Sequence, residues 1–235
     1  TTINYEKFKF DPKRISYVLL THAHIDHCGL IPKLVKEGFR GRIIATPPTV
    51  DLAKIMLEDS AVVNEDENRH ENIRRQRMGL PPRIALYKIE DVKHAHRYFH
   101  KVRYNQIYTL NPNMKMIFRD AGHILGSAII ELYVNENGKT KKIVFSGDLG
   151  QGGTPIVNDP AIIEDADYVL LETTYGNRRH GEVSTREEML SKAVTETYHK
   201  RGKLMIPSFS IERTQELLYY LHRMERKGKL PPINV

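Results

Sequence analysis

The sequence holds a single cysteine, Cys28, so no disulfide can form within the chain. Such sparing use fits a reducing compartment, and a cytoplasmic location is expected. No apolar run reaches the roughly 18 residues that would span a bilayer, and no secretory-signal pattern opens the chain, so no membrane partner is expected. Repeats and low-complexity tracts are also missing, which excludes solenoids and biased linkers. What remains is ordinary for a soluble globular fold: 40% hydrophobic and 28% charged residues over 235 positions. Charge of one sign is in modest excess, with 36 Lys and Arg against 29 Asp and Glu for a net +7. That balance would attract a polyanion but identifies none by itself.

Short β-branched runs alternate with amphipathic helical stretches, the pattern of a layered α/β fold. Residues 15–20 (ISYVLL) read as a buried strand whose C-terminal end feeds a histidine cluster. Residues 30–35 read as a helix with Pro32 in its first turn and Gly38 as its stop. Residues 43–45 predict a short strand, and Pro47-Pro48 opens a helix carrying Leu52, Ile55 and Met56. From Asn64 to Pro82 the chain turns polar, with Arg69, Arg74, Arg75, Arg77 and Arg83 close together, and a partly helical, mostly solvated surface excursion is expected. Strands are predicted at 114–118, 128–134, 142–145 and 168–171, with a hairpin at Gly138. Thr185-Arg186-Glu187-Glu188 reads as a capping box opening a helix that Gly202 ends. Residues 204–206 read as a strand, and 212–226 as a helix with Leu217, Leu218, Leu221 and Met224 on one face. Pro231 to Val235 reads as the approach to a further strand, as if the chain continued.

The densest chemistry lies in His22-Ala23-His24-Ile25-Asp26-His27. An HxH pair on a turn after a strand lets both imidazoles converge on one cation, and the following Asp-His can address a second a few ångströms away. Imidazole and carboxylate suit zinc, and manganese is also compatible with these ligand types. His123, in Asp120-Ala121-Gly122-His123-Ile124-Leu125-Gly126-Ser127, and Asp148, in Ser146-Gly147-Asp148, share one layout: a strand edge, small residues, then a metal-capable side chain.

These segments resemble the metallo-β-lactamase superfamily, and its β-CASP branch of nucleic-acid-processing nucleases in particular. HxHxDH, the turn at His123 and Ser-Gly-Asp at Asp148 match three superfamily motifs. Leu171-Glu172-Thr173-Thr174-Tyr175-Gly176 matches the first β-CASP motif, and Pro207 to Glu216 looks like a further β-CASP segment. The resemblance implies a four-layer αββα sandwich over residues 1–171, with a surface insertion at about 64–105, and the start of a β-CASP lid over 172–235. It implies two zinc ions: one held by His22, His24 and His123, the other by Asp26 and His27, with Asp148 bridging. An aspartate motif ahead of the first strand and two later histidines, one a metal ligand and one a general acid, would lie outside this chain.

The implied activity is hydrolysis of single-stranded RNA, as an endonuclease and also as a 5′-to-3′ exonuclease. The assembly would be a homodimer or a processing complex. Asp26, Asp148 and Glu172 are the catalytic candidates. Asp26 would orient a metal-bound hydroxide for in-line attack, and Glu172 would fix a ligand histidine in its tautomer. Arg178, Arg179 and His180, together with Ser208 and Arg213, are the candidate phosphate contacts, and a helix start after Ser210 would add backbone donors. A DNA nuclease and a non-catalytic scaffold are the competing readings. Among decoys, His94 and His96 would point to different faces of a helix and cannot share a metal there. His96 and His100 could share one but lack a third ligand. Cys28 is expected to be a small buried neighbour of the site.

Overall fold

The computed structural model describes residues 2–177 and 185–235. Three short parallel strands, β1 (Tyr17–Leu19), β2 (Arg42–Ala45) and β3 (Phe99–Lys101), pair in that order. Parallel neighbours need crossovers. Helices α1 (Ile25–Cys28) and α2 (Ile31–Lys36) supply the first, and α3 (Pro47–Arg77) and α4 (Ile89–Ala95) the second. Helix α2 ends as its glycine predicts. Gly38 takes φ +117°, and the Phe39 N–H returns to the Leu34 carbonyl at 3.1 Å.

The second sheet has five strands in sequence order: β4 (Tyr108–Asn111), β5 (Met114–Asp120), β6 (Ala128–Glu136), β7 (Lys139–Phe145) and β8 (Tyr168–Leu170). All pairs are antiparallel except β7 with β8. The β6–β7 turn is Asn137-Gly138 with φ of 53° and 74°, the two-residue turn whose twist suits flanking strands.

Layering follows from the alternation of side chains along β2. Ile43 packs with Leu34, Val35, Leu57 and Val92 against the helices. Its neighbour Ile44 packs with Met116, Phe118 and Ile130 between the two sheets. Each such side chain contributes about 1.5–3 kcal/mol on full burial. On the outer face of the second sheet, Ala121, Ile129 and Val144 are covered by Leu149 and Ile163. The mixed α/β class is therefore as the sequence reads. Beside this last cluster, Glu131 is buried and bridged by Lys142 at 2.8 Å and Arg119 at 3.1 Å. Burial works against its ionised form, but these two cations hold its carboxyl below the ordinary range.

Several local expectations are corrected. The polar stretch from Asn64 is a continuation of α3 to Arg77, because no glycine or proline interrupts residues 49–78. Buried Asn68 and neighbouring Asn72 grip the returning chain, donating to the Arg83 carbonyl at 2.8 and 2.9 Å. Residues 64–105, the range of the expected insertion, include core positions: Val92 and Ala95 of α4 are buried and β3 pairs with β2. Helix α4 ends at Ala95 and His100 lies on β3, so His96 and His100 do not share a helix face.

The remaining corrections concern the last part of the chain. Residues 204–206 form no strand and are 41–87% exposed, since a β-like pattern cannot supply its own partner. Helix α5 (Arg186–His199) starts without a capping box, because Thr185 is at φ −89°, ψ −11°, helical and not extended. At its far end Arg201, not Gly202, takes the left-handed position at φ 53°. Helix α6 (Arg213–Arg226) stands at its expected place.

Candidate metal centre

Strand β1 delivers the first candidate ligands. Leu20 still pairs with β2, its N–H 2.9 Å from the Ile44 carbonyl, and the chain then bends inward. His22 is fully buried, Ala23 leaves room for it, and His24 caps α1 with extended backbone. Asp26 and His27 follow within α1. Thr21 Oγ1 lies 3.1 Å from His22 Nδ1. With Nδ1–H donating there, the Nε2 lone pair is left for a cation.

The β5–β6 turn delivers His123. Asp120 accepts the Gly122 N–H at 2.9 Å, and Ser127 Oγ accepts the N–H groups of His123 and Ile124 at 3.0 and 3.2 Å. Thr46 and Thr49, at the start of α3, fasten the same turn by donating to the Gly126 carbonyl at 2.6 and 2.7 Å. Gly126 has φ +87°, and a Cβ there would meet the Thr49 nitrogen at 2.5 Å. Asp148 arrives after β7, where Gly147 takes φ +55° against Thr21.

The three segments meet at one point. His22 Nε2 and His24 Nδ1 are 3.1 Å apart, and His24 Nδ1 and His123 Nε2 are 3.2 Å apart. Asp148 Oδ2 is 3.7 Å from both His22 and His123. One donor atom from each of His22, His24, His123 and Asp148 lies within 4.8 Å of the others. Donors on a tetrahedron around an ion at about 2.0–2.1 Å stand roughly 3.3 Å from one another, so this set fits a divalent cation. Burial, the largest cause, lowers the pKa of all three histidines, and for His22 the value falls to about 2. The imidazoles are thereby kept neutral, as ligation requires.

Asp26 and His27 approach the same carboxylate from the open side. His27 Nε2 is 3.4 Å from Asp148 Oδ1 and 3.7 Å from Asp26 Oδ2, and the Asp26 side chain is 76% exposed. The two Asp148 oxygens thus face different histidines. Cys28 is fully buried, its thiol donating to the Ala23 carbonyl at 3.4 Å, and burial pushes its pKa up to about 12, so it stays a thiol.

Glu172 stands differently from its expected role. Rather than gripping a ligand histidine, its carboxylate accepts the Leu149 N–H at 3.3 Å and the Thr174 N–H at 2.9 Å. Burial opposes its ionised form, yet these bonds and the nearby His123 hold its pKa below the ordinary range. It therefore braces the backbone just after Asp148 and reaches His123 through its charge. Ser208 and Arg213 are engaged at the start of α6. Ser208 Oγ is 2.9 Å from Thr214 Oγ1, and Arg213 pairs with Glu216 at 3.3 Å. Arg178, Arg179 and His180 lie outside the described residues.

Helix α6 is entered through Glu212 at φ 71°, ψ −66°, with the Arg213 N–H returning to the Ile211 carbonyl at 3.0 Å. This γ-turn is a conformation that L residues pay strain to adopt, and Ile211 packs against the helix-side core. Glu212→Gly is expected to raise stability by about 1 kcal/mol, because glycine adopts positive φ without a Cβ clash. Chemical denaturation would check this, and a lower unfolding midpoint would refute it.

Two sheets carrying three histidines and an aspartate on the turns at their ends define the class. The metallo-β-lactamase superfamily domain profile matches residues 3–170, and the chain belongs to that superfamily. Ribonuclease TTHA0252 of Thermus thermophilus is 36% identical over 227 residues, covering 95% of this chain and 47% of that protein. An RNase J-like protein of Methanocaldococcus jannaschii is 32% identical, covering 97% of this chain and 48% of its own. Transcription termination factor FttA of Methanosarcina mazei is 31% identical, covering 96% and 33%. The chain spans about half or less of the length of these relatives. Their names are consistent with the β-CASP RNA-processing branch that the motifs resemble.

The sequence left several supporting residues unmarked, among them Thr21, Thr46, Thr49, Asp120 and Gly150. Their one visible signal is position: Thr21, Asp120 and Gly150 fall within one to three residues of a candidate ligand, Thr46 is the N-cap of α3 and Thr49 lies in its first turn.

Proposed function

We propose that this chain carries the metal site of a β-CASP ribonuclease that hydrolyses phosphodiester bonds of single-stranded RNA. The observation that supports it most is the convergence of His22, His24, His123 and Asp148 donors within 4.8 Å. Zinc suits this donor set, and manganese is the alternative. Asp148, with one oxygen toward His22 and His123 and the other toward His27, suits a bridging role between two cations. Bound cations supply hydroxide from water near neutral pH and neutralise charge on the phosphate oxygens.

The chain's own residues do the rest. Asp26, exposed at the mouth, can accept a hydrogen bond from the attacking water and orient it for in-line displacement. Glu172 keeps the Asp148-Leu149 turn in place, so the bridging carboxylate holds its aim. Arg213 is half exposed and is a candidate contact for the RNA backbone, as are Ser208, Arg178 and His180. The net charge of +7 supports a polyanionic substrate. Residues 172–235 are read as the beginning of the β-CASP unit.

The test uses the whole protein with end-labelled single-stranded RNA and the matching DNA, with chelator and then with zinc or manganese restored. Cleavage of RNA that chelator abolishes and metal restores is expected, and the mapped ends separate internal cuts from stepwise 5′-to-3′ removal. Metal-dependent cleavage of DNA alone would move the reading to a DNA nuclease. No cleavage of either would favour a scaffold.

A further inference from the structure

Helix α5 opens with Arg186, and its guanidinium spans two separate parts of the molecule. One nitrogen donates to Gln151 Oε1, and the other lies 3.4 Å from Glu216 Oε1 in the first turn of α6. Gln151 stands three residues after Asp148, on the loop that also holds Gly150 against the His123 turn. Glu216 is buried, with its side chain 4% exposed, and its second oxygen faces Arg213 at 3.3 Å without completing a hydrogen bond. A buried carboxylate between two arginines is costly to isolate, so all three groups are held together. Arg186 is part-buried and planar, and its fork fixes direction as well as distance.

We infer that Arg186 is a positioning residue, a strut that sets the metal-bearing loop at Asp148–Gln151 against the start of α6. It rests on the ribonuclease reading above. RNA that is anchored at the segment 208–216 must reach the metal site in register. The residue linking these two places governs how well a bound strand is presented. Ile211, packed against the helix-side core, is the apolar half of the same junction, and Arg186 is its polar half. The partners of the strut, Gln151 and Glu216, are not among the candidate metal ligands. A small phosphodiester, which needs only the metal centre, is therefore indifferent to it.

The experiment compares Arg186→Ala, Arg186→Lys and Gln151→Ala with wild type in the whole protein. Gln151→Ala removes one end of the strut and leaves the Arg186–Glu216 pair that joins the helices, so it folds even if Arg186→Ala does not. Expected for Arg186→Ala and Gln151→Ala is a loss of about tenfold or more in kcat/KM on an RNA oligomer, of the order a misplaced positioning group costs. Turnover of bis(p-nitrophenyl) phosphate and bound metal should stay within about twofold, and Arg186→Lys, lacking the fork, should fall between. Amides of 149–153 should also exchange faster in both alanine variants, and this readout needs no activity. Parallel losses on RNA and the small diester would overturn the inference, as would unchanged RNA kinetics. Unchanged exchange at 149–153 would overturn it whatever the kinetics. If wild type cuts no RNA, the ribonuclease reading fails and the exchange measurement alone decides for or against the strut.

Discussion

Replacing His24 with alanine in the whole protein is expected to abolish stoichiometric metal uptake at the first site and cut phosphodiester hydrolysis by about a thousandfold or more. His24 is the candidate ligand at the centre of the triad, its Nδ1 3.1 Å from His22 and 3.2 Å from His123. Its removal leaves two imidazoles and one shared carboxylate, too few for a closed tetrahedral site. The fold should survive, because His24 caps only the four-residue α1 and makes no side-chain cap bond. Asp148→Asn is the informative companion. It keeps an oxygen and the shape but loses the charge and one of two acceptor faces, so binding of a second metal should suffer more than the first. Metal analysis after gel filtration, paired with turnover of a chromogenic diester, reads both outcomes. Full metal content with wild-type turnover in His24→Ala would sink the site assignment.

The candidate ligands stand out in the sequence because each sits where chain chemistry changes abruptly. A hydrophobic strand ends, small residues follow, and a metal-capable side chain stands alone. That local signature marks His123 and Asp148, and the dense HxHxDH run marks His22, His24, Asp26 and His27, without knowledge of their partners. Contacts between distant positions leave no such trace. The Thr46 and Thr49 grip on Gly126 joins residues 80 and 77 positions apart, and a threonine before or after Pro-Pro reads only as a helix start. The Arg186 strut is equally silent, since an arginine in the first turn of a polar helix is ordinary on any surface. Glu172 shows the same limit from the other side. Its motif was visible, but whether its oxygens meet an imidazole or backbone N–H groups depends on how β8 is placed beside β7. Strands β3 (FHK) and β4 (YTLN) were missed because they lack the apolar run that marks the equally short β1, β2 and β8. Residues 204–206 show that the same signal misleads when no neighbour pairs with it.

Gly150→Ala is expected to cost about 3 kcal/mol or more in stability, a fall of roughly 6–12 °C in Tm for a chain of this size. The Gly150 N–H donates to the Ala121 carbonyl at 2.9 Å, sewing the Asp148 loop to the His123 turn. A Cβ at this position would lie 1.5 Å from the Gly122 carbonyl oxygen, 2.1 Å from its carbon and 2.7 Å from the His123 nitrogen. All three are backbone atoms, so no side-chain rotation can relieve the clash, and the two turns must separate. Separation moves His123 away from Asp148, and a site that depends on convergence within a few ångströms loosens with it. Metal affinity should therefore fall along with stability. Gly153→Ala is the control three residues away in the same loop. It has φ +78° and open space around its Cβ, so only backbone strain of about 1 kcal/mol applies. A thermal melt of the metal-free proteins, followed by titration with zinc, separates the effects. If both alanines melt alike, close backbone approach is not what fixes these two turns. If Gly150→Ala melts lower but binds zinc as wild type does, the turns are needed for folding and the ligands find their geometry without them.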